Sequence, residues 1–434
     1  MAIDVLLTSP EVQEFIKDAL KRKMDALQVS TALAKKFTNE ERAAIMDYMA
    51  LVPKFQEKFF DPSSKESLGK FLLCDKLALE QSTAQDIGRW KSKLWEVAHE
   101  QKEMTVYDLC CGMGGDSFFV PNFLNVVGVD LDENRLHMYR YNNKVFGKVG
   151  QTLLADARTA NQSSKNSGCI HPQLFTIDPA RRSIDGENQR DLNNLTPTFE
   201  EVVELSKNYK GGMAKLPPGY PTNEIPESCE LIYLGSHADC RECLVLFGIL
   251  AQNPGKVRAV MVNKKGETQA QWWGNLREIQ AESNKDAEKN LPGCERSFRN
   301  STSKEDLPVG ELSGYLAEPT ALLIRSHLFG TVAKENDINA HLISEGIAYV
   351  SSNQPLPSPA FASFKVLSHC EIATAAVRNM LKQFNIGSLT LKLRGVKIDP
   401  DVEIKRLKPK GKNSATLFYT RIAGNKTAIL AERV

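Results

Sequence analysis

Val106-Tyr107-Asp108-Leu109-Cys110-Cys111-Gly112-Met113-Gly114-Gly115-Asp116 is followed closely by Asn125-Val126-Val127-Gly128-Val129-Asp130. Together the two stretches predict a strand, a glycine turn, a helix, a second strand and a terminal acid. That order opens an α/β domain that holds an adenosine-containing ligand by its backbone. Gly112 and Gly114 allow a tight turn and a close approach to the ligand. Asp130 ends the second strand, 18 residues after Gly112, where a carboxylate can accept from both ribose hydroxyls.

Two ligand classes use this geometry, and a purely structural turn is the third reading. A dinucleotide site wants G-x-G-x-x-G with pyrophosphate on the helix amino terminus. Here Ser117 stands where the third glycine would fall, and Asp116 lies at the helix start. A carboxylate there repels pyrophosphate. S-adenosylmethionine carries an ammonium and a sulfonium, so Asp108 and Asp116 suit it. The acids beside the turn therefore favour the methyl donor.

The chain has 434 residues, 42% hydrophobic and 25% charged, which suits a globular protein of two or three domains. Its net charge of +2 is unevenly spread. From Arg378 to Val434 there are 13 Lys or Arg against 4 acids, leaving about +9 on the tail and about −7 elsewhere. Such asymmetry suits a polyanionic partner or a solvated basic surface. Nine scattered cysteines, no signal peptide and no apolar run of about 20 residues predict a cytoplasmic, reduced protein without a membrane span. Cys240-Arg241-Glu242-Cys243 has zinc-like spacing but lacks a matching second pair, so no metal is expected.

Residues 1–100 read as a helical region, with Phe15, Leu20, Met24, Leu27, Leu33 and Phe37 at helical spacing and a turn at Asp61-Pro62-Ser63-Ser64. Ser82 and Gln85 resemble a capping box opening a helix that carries Trp90 and Trp95. That helix could cover the methionine end of the ligand or serve only packing. Residues 101–265 alternate strands and helices, with strands expected at 104–110, 125–130, 151–155, 173–178, 211–216, 230–235 and 257–262. Ligands of such doubly wound sheets sit outside the carboxyl ends of the strands, where Asp156 could accept from an adenine amino group. Residues 266–312 are polar and read as a linker or insertion, although Trp272 and Trp273 suggest partial docking. The remainder reads as a module at 313–359 and a compact α+β domain at 360–434. It offers a helix over 320–330, a strand at 363–369, a helix at 371–384 and a strand at 388–394. Two final strands, near 414–422 and 426–431, are joined at Gly424-Asn425.

Leu174-Phe175-Thr176-Ile177-Asp178-Pro179-Ala180-Arg181-Arg182 places an acid at the end of the fourth strand. Amino-group methyltransferases carry an acid or amide, Pro-Pro and an aromatic there, so the acid can accept from the target amine. Methyl transfer itself needs in-line positioning and a free lone pair. Arg181 replaces the aromatic, and a guanidinium can stack on a base or clamp phosphate, as Arg182 also could. A strand-end turn at Asp178 and structural ion pairs at the arginines are the alternatives. Lys215, before Pro217-Pro218-Gly219, is held near the expected pocket mouth by a rigid turn.

Taken together, Asp-Leu-Cys-Cys-Gly-x-Gly-Gly-Asp at 108–116, Val-Asp at 129–130, Ala-Asp-Ala at 155–157 and Asp-Pro-Ala-Arg-Arg at 178–182 resemble a bacterial branch of the class I S-adenosylmethionine-dependent methyltransferases with a C-terminal THUMP-like domain. Leu79-Glu80-Gln81-Ser82, Lys215-Leu216-x-Pro218-Gly219, Gly314-Tyr315-Leu316-x-Glu318-Pro319 and Leu391-Lys392-x-Arg394-Gly395-Val396 extend the resemblance over about residues 70–434. It implies a Rossmann-like seven-stranded sheet, a ferredoxin-like module near 285–355 and a THUMP-like domain near 360–434. THUMP domains accompany RNA-modifying enzymes, so the resemblance implies an RNA partner, tRNA or rRNA.

The expected activity is S-adenosylmethionine-dependent methylation of an RNA base. Asp108, Gly112, Gly114, Asp116, Asp130 and Asp156 are expected to hold the cofactor. Asp178 and Arg181 are expected at the chemistry. Arg182, Lys215, Lys392, Arg394, Lys397, Lys405, Arg406 and Lys408 are the expected substrate contacts. A methyltransferase for a small molecule or protein is one alternative; a non-catalytic scaffold binding S-adenosylmethionine or RNA is the other.

Overall fold

The computed structural model of the chain describes residues 3–60, 70–100, 104–161, 172–181, 195–280 and 307–434. Two compact units emerge. The first comprises Met1–Leu216, Leu244–Gln252 and Val262–Thr268; the second comprises Pro217–Cys243, Asn253–Met261 and Gln269–Val434. Among the described residues no helix is long and apolar enough to cross a membrane. The expected turn at Asp61, all of Arg182 and the side chain of Arg181 lie outside the described residues.

The first unit opens with helices whose starts are written in the sequence. Asp25 with Gln28 and Thr38 with Glu41 form reciprocal capping boxes before Ala26–Leu33 and Asn39–Phe59. The longer helix buries Ile45, Tyr48, Val52, Phe55 and Phe59, spaced three or four apart, in one core with Val12 and Ile16. Each such aliphatic or phenyl side chain contributes about 1.5–3 kcal/mol on burial. Leu27, expected in this stripe, is 76% exposed. Its helix turns Val29 and Leu33 inward, and a residue two before Val29 faces away.

The expected capping box at Ser82 does not form. Ser82 instead closes the helix Lys76–Gln81, donating its hydroxyl to the Leu79 carbonyl at 2.9 Å. The next helix, Gln85–Ser92, starts after Ala84 without a side-chain cap, and Trp95 falls on the following 3-10 turn, Lys93–Ala98. Gln85 donates to the Phe60 carbonyl at 3.0 Å, so tertiary contact claims the side chain that the cap would use.

Strands β1 (Thr105–Leu109), β2 (Asn125–Asp130), β3 (Gln151–Leu154) and β4 (Leu174–Ile177) lie in the order β4-β1-β2-β3, all parallel. Gly211–Leu216 continues parallel beyond β4. β1 is buried along its whole length, as befits a strand covered on both faces. All seven expected strands form. The sheet has nine strands where seven were expected, because Cys240–Gly248 and Thr268–Asn275 also join it, and a separate two-residue ladder pairs Ala180–Arg181 with Leu195–Thr196. Cys240–Gly248 buries Cys243-Leu244-Val245-Leu246-Phe247, a continuous apolar run that periodicity alone cannot assign. Thr268–Asn275 lies in the stretch expected as linker, with Arg258 stacked 4.9 Å from the Trp273 ring.

The second unit contains a seven-stranded sheet in the order His341–Leu342, Val350–Ser352, Tyr315–Pro319, Phe361–Glu371, Asn425–Arg433, Asn413–Ile422 and Ile386–Leu393. Thr374–Gln383 and Pro400–Leu407 cover one face, where Val377, Met380, Leu381 and Leu407 meet Leu417, Tyr419 and Leu430. The expected helix over 320–330 is two helices, Ala321–Arg325 and Phe329–Asn336, separated by His327 at φ +59°. The final hairpin turns on Ala423 and Gly424, both at positive φ, one residue earlier than expected, and Ile422 pairs with Asn425.

Candidate functional site

The glycine turn leaves the carboxyl end of β1 through three left-handed residues, Cys110 at φ +57°, Gly112 at +51° and Gly114 at +95°. Left-handed backbone at a cysteine costs of order 1–3 kcal/mol and marks a segment shaped by its surroundings. A Cβ on Gly112 would meet no protein atom within 4 Å, so its backbone conformation alone calls for glycine. A Cβ on Gly115, by contrast, would lie 2.9 Å from the Ser82 Cβ. The Leu79-Glu80-Gln81-Ser82 motif thus packs directly onto the turn. Asn142 adds a clamp: its side chain accepts from Leu73 N at 2.7 Å and donates to the carbonyls of Leu73 and Met113 at 2.9 and 3.0 Å.

The expected acids converge. The Cys110 thiol is pushed up by burial first, then by the charges of Asp130, Asp178, Asp108 and Asp156. Asp130 accepts from Gly112 N at 3.0 Å through one oxygen and from Asp132 N at 3.1 Å through the other. It holds the turn while keeping further lone pairs. Asp156 follows β3, takes the backbone N–H and guanidinium of Arg158, and is held below the usual carboxylate range by those bonds. Arg158 also reaches Glu201 at 3.1 Å.

Asp108 points inward. It is 2% exposed and accepts from the Ser117 hydroxyl, which also bonds Tyr139 OH at 2.7 Å. Burial, reinforced by the charge of Asp116, raises its carboxyl well above the ordinary range. Ser117, the residue in place of a third glycine, is therefore a buried bridge between an acid and a tyrosine. Asp116 is matched within the protein by Lys91, and both side chains are nearly closed to solvent. Burial alone would raise Asp116, but Lys91 and Lys215 hold it low.

Asp178, at the end of β4, accepts from Lys215 at 2.7 Å, and Lys215 also donates to the Gln81 carbonyl at 3.0 Å. Two strand ends and the upstream motif thus meet through one ammonium. Arg181 pairs its backbone with Leu195 in a two-residue ladder. Lys91 was not anticipated from the sequence. Its signal was a charge four residues after Ile87, on the stripe that also buries Gly88 and Trp90.

The expected basic contacts of the second unit fall into two groups. Lys392 and Arg394 both pair with Glu318, Arg394 also stacks 4.6 Å from the Tyr349 ring, and neither is a free surface cation. Lys397, Lys405 and Lys408 are exposed. Arg406 is exposed too but pairs with the buried Glu403 at 2.9 Å. The zinc-like cysteines lie on one strand, Cys243 buried and Cys240 partly so. Among the described residues no group of three or more His, Cys, Asp or Glu is arranged to hold a metal.

The profile of a family described as THUMP domain-like matches residues 361–433. Two strains of Mycobacterium tuberculosis carry a protein described as an uncharacterized S-adenosylmethionine-dependent methyltransferase. It is 24% identical over 365 residues, 82% of this chain and 86% of the relative. The crystal structure of a proposed methyltransferase from Porphyromonas gingivalis W83 is similar with a TM-score of 0.69 at 18% identity, covering 98% of both chains. That likeness establishes the fold.

Proposed function

We propose that this chain, an S-adenosylmethionine-dependent methyltransferase with a THUMP-like C-terminal domain, methylates a base of tRNA or rRNA in the cytoplasm. The observation that carries the reading is the Asp178–Lys215 pair beside the left-handed glycine turn. The residues at the turn suit the cofactor. The charges of Asp130, Asp156 and Asp178 near the turn disfavour pyrophosphate and favour a sulfonium and an ammonium.

S-adenosylmethionine supplies an electrophilic methyl group on its sulfonium. Gly112 and Gly114 let the backbone approach it, Asp130 accepts from the ribose hydroxyls, and Asp156 accepts from the adenine amino group. Asp108 and Asp116 act from behind, fixing Ser117 and Lys91. Asp178 accepts a hydrogen bond from the target amine, aims its lone pair and receives its proton after transfer. Lys215 is a positioning residue that holds the Asp178 carboxylate in a set direction. Arg181 and Arg182 grip the nucleotide, and Lys397, Lys405, Arg406 and Lys408 meet phosphates.

Nucleoside mass spectra of total RNA from cells with and without the gene test this reading. A methylated nucleoside missing from the deletion strain is expected. Unchanged spectra, with S-adenosylmethionine still bound by the purified protein, would shift the acceptor to a small molecule or protein.

A further inference from the structure

The sheet of the second unit curls until Lys392, on its last strand, reaches Glu318, four strands away in the sheet order. The concave face encloses a cavity of about 540 Å³, within the size range of small-ligand sites. Arg325, Lys392, Arg394 and Arg433 line it together with one acid, Glu318. Glu318 is shared by Lys392 and Arg394, so it offsets one charge of the four. Among the described residues neither Arg325 nor Arg433 has an ion-pair partner. Several cations around one concavity repel each other unless an anion joins them. Thr390 and Thr416, in register on adjacent strands, add hydroxyls to the lining.

We propose that this cavity is a nucleotide-phosphate site in which Arg325 and Arg433 take the phosphate. Planar guanidinium forks suit phosphate oxygens, which they can bind through two parallel hydrogen bonds. Its lining residues all belong to the second unit, whereas the methyl-donor turn belongs to the first. Two sources present the required group: a free mononucleotide, or one nucleotide of a single-stranded RNA. Only the RNA source rests on the RNA reading above.

The test is binding of adenosine monophosphate and of a short single-stranded RNA oligonucleotide to the full chain, followed by fluorescence competition and thermal shift. Wild type should bind at least one of them. Arg325→Gln and Arg433→Gln should each weaken that binding about tenfold and lower the salt slope of oligonucleotide binding by about one. Arg433 is exposed near the chain end, so its variant keeps the test open if Arg325→Gln misfolds. Arginine-dependent binding of the mononucleotide alone identifies a small-molecule site; arginine-dependent binding of the oligonucleotide identifies RNA. Failure of wild type to bind either probe overturns the proposal. So does oligonucleotide binding that both variants retain in full, an outcome that leaves the RNA reading standing.

Discussion

Lys215 Nζ lies 2.7 Å from Asp178 Oδ2 and 3.0 Å from the Gln81 carbonyl. One ammonium therefore joins the end of β4, the end of the Gly211–Leu216 strand and the segment packed on the glycine turn. The contact makes Asp178 a carboxylate with a set direction, as a hydrogen-bond acceptor for an amine requires.

Asp178→Ala is expected to reduce methyl transfer by about 10²–10⁴-fold while leaving S-adenosylmethionine affinity nearly unchanged. Lys215→Met should reduce turnover less, because Asp178 keeps its carboxylate but loses the ammonium that orients it. Labelled-methyl incorporation into RNA from a deletion strain, beside cofactor titration, checks both. Equal loss of donor binding and turnover in Asp178→Ala would place Asp178 in the cofactor site instead.

Lys91 and Asp116 form an ion pair whose side chains are 6% and 11% exposed. Removing one partner leaves a buried charge, which costs about 3–5 kcal/mol. Lys91→Met is expected to destabilise the fold by that order, and Lys91→Met with Asp116→Leu should recover much of it. Denaturant midpoints of the two variants decide the point. Similar loss in both would mean that Lys91 acts through packing of its stem.

Asp108 and Asp116 should carry opposite pH signatures. The folded value of Asp108 lies above its ordinary 3.8, so its linked stability is complete below that value and is lost as pH rises through the raised one. The folded value of Asp116 lies below 3.8, so its contribution is present above that value and is lost as pH falls through the lowered one. Asp108→Asn is expected to gain on wild type progressively above about pH 4, whereas the deficit of Asp116→Asn should be level above about pH 4 and shrink as the pH falls below it. Unfolding midpoints across that range measure both. Parallel pH trends would contradict the opposed environments.

These two acids also show what the sequence can reveal. The glycine turn, Asp130 at the tip of β2 and Asp178 at the tip of β4 are local relations, set by strand periodicity and turn chemistry. They are where the pattern puts them. The inward turn of Asp108 depends on Ser117 and on Tyr139, 31 residues away on another element. The pairing of Asp116 depends on a lysine in a preceding helix. Ser82 looked like a cap because its spacing to Gln85 is right, yet Phe60 takes the glutamine. The sequence records which groups exist; partners brought in by tertiary packing decide which way each one faces. Lys392 and Arg394 make the same point in the second unit, since no local pattern announces Glu318 as their counter-ion.

That pairing separates two kinds of basic residue that composition lumps together. Lys397, Lys405 and Lys408 are exposed, whereas Lys392 and Arg394 hold Glu318. Exposed lysines on phosphates act additively through counterion release, with a loss of about one unit of salt slope for each lysine removed. Lys397→Gln, Lys405→Gln and Lys408→Gln combined should lower the slope of log affinity against log salt by up to about three and leave the melting temperature nearly unchanged. Lys392→Gln should instead lower the melting temperature, because Glu318 then loses one of its two cations. Affinities of RNA at several salt concentrations, read beside thermal melts, distinguish the two groups. A triple variant with an unchanged slope would remove the exposed lysines from the RNA-binding surface.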